Sequence, residues 1–167
     1  MMKQKFLMIP ALAAALFFGS CSSSKNTVVP PARSDVQGNW TLDHISYDGL
    51  ATGAKYNIGL LDEGSANCLE GSTWNLPGSG FGSYVINATS TDCKPGETKI
   101  NWSYRMVGND YYFQFKRLVE GSKAKTVTEG YKLKIVSATK EALQLQSEAI
   151  SEGKTIYVNY QFSKAKK

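Results

Sequence analysis

From Gly38 onward the chain alternates between apolar and polar positions. In Gly38-Asn39-Trp40-Thr41-Leu42-Asp43-His44-Ile45, the side chains of Trp40, Leu42 and His44 fall on one side and Thr41 and Asp43 on the other, the two-residue period of a half-buried strand. The same period returns over residues 69–76, 82–88, 98–107, 111–118, 129–137, 142–148 and 154–163. This predicts eight strands. Their inward faces carry Trp74 and Leu76; Tyr84 and Ile86; Ile100, Trp102, Tyr104 and Met106; Phe113 and Phe115; Tyr131, Leu133 and Ile135; Leu143 and Leu145; and Ile156, Val158, Tyr160 and Phe162. The opposite faces, such as Asn101, Ser103 and Arg105 or Lys132 and Lys134, are polar, as one solvated sheet face requires. No stretch past the leader carries the period of a three-turn amphipathic helix, so the chain is expected to be all-β.

The connections between these strands alternate in length. A long excursion over residues 47–67 is followed by a tight turn at Pro77-Gly78-Ser79-Gly80, a medium loop to Glu97 and a tight turn at Gly108-Asn109-Asp110. Then come a long loop over 120–128, a short turn at Ala138-Thr139-Lys140-Glu141 and a loop through Ser151-Glu152-Gly153. In an up-and-down barrel of eight antiparallel strands, all the short turns gather at one end and the longer loops at the other. One end is then closed and the other open. Cys68 and Cys93 both fall at the open end, where a bridge between them would pin the long first loop over the mouth and contribute about 3 kcal/mol by loop closure. The eighth strand runs antiparallel to the first, so its end at Lys164 meets Trp40.

At 167 residues and 42% hydrophobic content the chain suits one domain. Lys3 and Lys5 followed by an apolar run over 6–18 read as a secretory signal, too short to span a bilayer. Phe18-Gly19-Ser20-Cys21 resembles the bacterial lipoprotein box, with Phe18 where leucine is usual. The resemblance implies a signal peptide over 1–20, a lipidated Cys21 carrying acyl chains such as palmitate, a flexible Ser- and Pro-rich tether over 21–35, and a barrel domain over 36–164. It also implies a bacterial cell-envelope protein that meets the membrane through its N-terminal lipid. No acidic run follows Cys21; such a run resembles the surface-export signal of Bacteroidetes lipoproteins, and its absence points to the outer membrane, facing the periplasm. An oxidising periplasm allows Cys68 and Cys93 to pair. Without Lys3 and Lys5, the 19 basic side chains become 17 against 14 acidic ones, a formal net charge of +3 that gives no support to nucleic-acid binding.

The Gly38-Asn39-Trp40 opening resembles the Gly-x-Trp start of the lipocalins. Cys68-Leu69-Glu70-Gly71-Ser72-Thr73-Trp74 with Gly80-Phe81-Gly82-Ser83-Tyr84 resembles the second-and-third-strand hairpin of the lipocalin-like domain lipoproteins of Bacteroidetes. The resemblance covers the first third of the domain and implies a small lipocalin-like barrel on a lipid anchor. It further implies that a basic side chain covers the first-strand tryptophan, which assigns Gly38, Trp40 and Lys164 to barrel closure.

Catalytic chemistry finds little footing. His44 is the sole histidine and has no acid or nucleophile at a telling spacing, so no enzyme is expected. Glycines 78, 80 and 82 precede no helix and read as hairpin residues. Two cysteines and one histidine lack the ligand set zinc needs, and no metal or cofactor is expected. Binding has two forms. In the first, a small hydrophobic or amphipathic ligand enters an open end lined by Leu42, His44, Trp102, Tyr104, Phe113, Phe115, Arg117, Tyr131 and Val158, in a modest cavity among the aromatic rings. Arg117 either meets that ligand's polar head together with His44 or pairs with a loop acid such as Glu120 or Glu148. In the alternative, the barrel is packed solid and is a protein-binding module, an enzyme inhibitor or envelope-complex subunit.

Overall fold

The computed structural model describes residues 30–50, 60–119, 121, 123–151 and 153–166. The leader, Cys21 and Glu120 lie outside them. Eight strands close into one antiparallel up-and-down barrel: β1 (Gly38–Asp48), β2 (Thr73–Leu76), β3 (Phe81–Ile86), β4 (Gly96–Val107), β5 (Asp110–Arg117), β6 (Tyr131–Ala138), β7 (Ala142–Ser151) and β8 (Lys154–Lys164). Each strand pairs with its successor, and β8 returns to β1 with Trp40 opposite Lys164. Full closure leaves no free outer strand in the sheet order. The expected eight-stranded architecture is thus the observed one.

At the closed end, Lys164 Nζ lies 4.2 Å from the centre of the Trp40 ring and donates to Gln37 O at 3.2 Å. The reason for glycine at position 38 follows: a Cβ there would come within 2.1 Å of Lys164 Nζ, in a backbone whose φ of 132° already disfavours a side chain. The end is capped by a single helical turn, α1 (Arg33–Val36). Val36 is fully buried, its carbonyl accepts the Trp40 indole N–H at 2.8 Å, and Arg33 lies 5.1 Å over the Trp102 ring. Arg33 also donates to Gly78 O, and Asp35 pairs with Lys140, so α1 touches two of the three short turns. The hydrogen bond from Lys140 and the Ala32 N–H hold the Asp35 carboxyl below the usual carboxylate range. Residues 33–35 of the expected tether thus belong to α1, and residues 21–29 lie outside the described residues.

Aromatic rings fill the barrel axis. Trp74 stacks on Tyr84 at 4.5 Å and meets Phe113, Phe115 and Phe162 edge-on at 6.5, 5.6 and 5.8 Å. Such pairs add about 0.5–1.5 kcal/mol each beyond simple burial. Two strands carry an extra residue. In β1, Leu42 faces Phe162 and His44 faces Gln161, so Asp43 is bulged; in β6 the bulge is at Val136. Beyond Asp43 the inward side passes to Ile45 and the part-buried Tyr47, and His44 turns outward. Met106, also expected inside, lies at the rim by the closed-end turn and is 60% exposed.

Candidate functional site

The open end is assembled from a strap, a disulfide and a cation. The strap over 60–64 follows from its own hydrogen bonds: Leu60 N–H donates to Gly64 O at 2.7 Å and Glu63 N–H to Leu60 O at 2.9 Å. Leu61 and Asp62 hold left-handed φ values of 51° and 55°, conformations that cost about 1 kcal/mol or more per residue and need outside support. Support comes from three sides. Leu60 is buried in the core. The short helical turn α2 (Ala66–Leu69) buries Leu69 and carries Cys68, which is bridged to Cys93. Finally, Glu63 and Asp62 are seated on the barrel wall.

Glu63 is 7% exposed and accepts from Arg117 Nη1 at 2.9 Å and from the hydroxyl of the fully buried Tyr84. Asp62 accepts from Arg117 Nη2 at 3.2 Å and from the Tyr131 hydroxyl. The Arg117 guanidinium also lies over the Tyr131 ring, 5.5 Å from its centre. Burial, then the hydrogen bond to Glu63, push the Tyr84 phenol far above its ordinary value, and burial with the bond to Asp62 does the same for Tyr131. Burial works against the Arg117 charge, and the Glu63 hydrogen bond and neighbouring groups outweigh it, leaving the guanidinium more firmly protonated. The strap is thereby locked across the mouth. Arg117 is placed at the open end and paired with loop acids as expected; among the described residues these are Asp62 and Glu63 and not Glu148, and Glu120 lies outside the described residues.

The other expected site residues divide. Leu42, Phe113 and Phe115 are packed into the core, and the axial volume assigned to a ligand is occupied by side chains around Trp74. Trp102 and Tyr104 belong to the closed end: Arg33 covers the first, and the hydroxyl of the second donates to Pro31 O. His44 is 61% exposed on the outer surface, with Nδ1 2.9 Å from Glu70 Oε1. Its displacement follows from the Asp43 bulge, which Glu70 braces by accepting the Ile45 N–H at 2.7 Å. Tyr131 and Val158 line open space beside the strap.

That space is a cleft of about 310 Å³ in the barrel wall between β6 and β7, floored by Leu60, Leu133, Val158 and Tyr160, with Asp62, Lys132, Ser147 and Glu148 at its margins. It exists because the β6–β7 ladder stops at Lys134 and Gln146. Tyr160 donates or accepts at 3.1 Å with Ser147, and burial raises its phenol to about 12. Leu60, Asp62, Glu63 and Ser147 were not assigned from sequence. An arginine on an inward face asks for a carboxylate, and the acid pair Asp62-Glu63 ahead of Cys68 was the available signal.

No protein family, curated protein or solved structure matches the chain. Among the described residues no helix is long and apolar enough to cross a membrane, and no group of three or more His, Cys, Asp or Glu is placed to hold a metal ion. The barrel fits a lipocalin-like binding module.

Proposed function

We propose that the protein is a lipid-anchored bacterial envelope lipoprotein, related in build to the lipocalin-like lipoproteins, whose barrel is a non-catalytic module that binds a partner protein at its open end and the adjoining β6–β7 wall. The observation that carries this reading is the filled axis beneath the locked strap: Trp74 and its ring neighbours occupy the volume a carried ligand would need, and Glu63, Arg117 and Tyr84 close the route to it. Recognition then falls to the outside. Ile150, 81% exposed, and Tyr157 stand on β7 and β8 beside the cleft, apolar surface of the sort that marks contact sites. The lipoprotein box at Phe18–Cys21 supports the anchor.

A photo-crosslinker placed at Ile150 in intact cells tests this, with one at Lys140 on the closed end as control. A defined protein adduct at Ile150 alone is expected; equal labelling at both positions, or none, would sink the proposal. A second reading has its own support: at about 310 Å³ the cleft reaches the lower size of small-molecule sites, and an apolar floor with charged margins suits a short amphipathic molecule. Native mass spectrometry of the purified protein separates the two, since a lipid-sized adduct lost in Leu133→Arg would favour the small ligand.

A further inference from the structure

The cleft is bounded by strand edges. From Lys134↔Gln146 to Ala138↔Leu143 the two strands are paired, and above that point they part. Tyr131, Lys132 and Leu133 remain paired to β5 by their far edge, and Ser147 to Ile150 remain paired to β8 by theirs. Were the ladder continued, Leu133 would stand opposite Ser147 and Lys132 opposite Glu148. Among the described residues the register between the two strands ends at Lys134↔Gln146, and no ladder pair joins 131–133 to 147–150. Each wall of the cleft therefore presents backbone N–H and C=O groups to the same space.

We infer that the occupant of this cleft is an extended segment of the partner protein, which adds to the open edges of β6 and β7 as a short β-strand. The inference rests on the binding reading given above for this wall. An edge of unpaired donors and acceptors is a template for another strand, and main-chain pairing of this kind supplies affinity with little demand on sequence. An alkyl chain would cover the floor of Leu60, Leu133 and Val158 but leave the backbone groups of both walls without partners once they are taken from water. A peptide satisfies both. Its alternate side chains point down onto that floor and outward past Ile150. At the margin Lys132 lies over the Tyr112 ring, 4.0 Å from its centre.

The test is amide hydrogen exchange and chemical-shift mapping of the isotope-labelled protein with a blocked Thr-Val-Thr-Val-Thr peptide. In the free protein the amides of the two facing edges should exchange faster than those of Ile135 and Leu145. Adding peptide should shift resonances in 131–133 and 147–150 and protect those amides that β5 and β8 leave unpaired, and a version N-methylated at its valines should bind about tenfold more weakly, since the side chains are kept and the donors removed. Equal binding of the N-methylated peptide overturns the strand inference while leaving the cleft as a binding site, and so does selective binding of decanoate in place of the peptide. If neither probe perturbs these amides, the binding reading of the wall fails with it.

Discussion

Glu63 concentrates the chemistry of the open end, because one buried oxygen accepts from both Arg117 and Tyr84. Its removal leaves a phenol and a cation short of an acceptor. Glu63→Ala should lower stability by about 2 kcal/mol, below the 3–5 kcal/mol of a wholly buried pair, since Arg117 is 33% exposed and keeps Asp62. The urea midpoint measures this, and in the double variant with Arg117→Met part of the loss should return. The tyrosines make a second residue-scale prediction. Tyr160 titrates near 12 in the folded protein, and Tyr84 and Tyr131 are raised as well, all chiefly by burial. A phenol raised in the fold contributes stability that is whole below its unfolded value of about 10 and is lost as pH climbs through its folded value. Stability should therefore fall between pH 10 and about 12, and Tyr160→Phe should make that fall shallower.

Between residue and fold stand the elements that close each end. The Cys68–Cys93 bridge spans 25 residues of sequence and ties α2, and through it the strap, to the β3–β4 loop. Replacing both cysteines with serine should cost about 3 kcal/mol in thermal or urea unfolding. It should also speed amide exchange in residues 60–70 before any global opening. A unique change in the strap with the wall unaffected would show that the bridge serves the mouth. At the other end, α1 depends on few contacts but covers two tryptophans. A chain begun at Gly38 loses the Val36 side chain, the acceptor for Trp40 Nε1 and the Arg33 cover on Trp102. Burial of one valine, one hydrogen bond and one cation over a ring together predict a loss of roughly 3–5 kcal/mol. Red-shifted tryptophan emission at an unchanged strand content would confirm that the cap, and not the sheet, was removed.

At the scale of the whole molecule, a closed barrel solves the edge problem for its outer strands and reopens it locally. β6 and β7 are joined near the closed end and their ladder stops short of the mouth, so the wall carries a cleft beside the strap. The aromatic core explains how the barrel tolerates this. Trp74 and its neighbours fill the axis, so the fold needs no ligand to complete it, and the cleft can open onto a solid floor.

Strand count, strand order, the closed and open ends, the disulfide and the meeting of Lys164 with Trp40 were legible in the residues, because a two-residue period and alternating turn lengths constrain an antiparallel barrel almost completely, while the cover of the lysine on the ring was implied by the lipocalin resemblance. The side that His44 faces was not legible. A single bulged residue, Asp43, inverts every side chain beyond it, and nothing in a local pattern distinguishes a bulge from a regular step. Nor was the acid that answers Arg117, since Asp62 and Glu63 reach it across 55 and 54 residues of chain through a strap whose shape depends on its anchors at Leu60 and Cys68. The cleft belongs to the same class. Alternation continues unbroken through Leu133 and Ser147, and only the three-dimensional path of β6 and β7 decides that these strands part, because pairing depends on where two distant segments are held and not on the pattern of either.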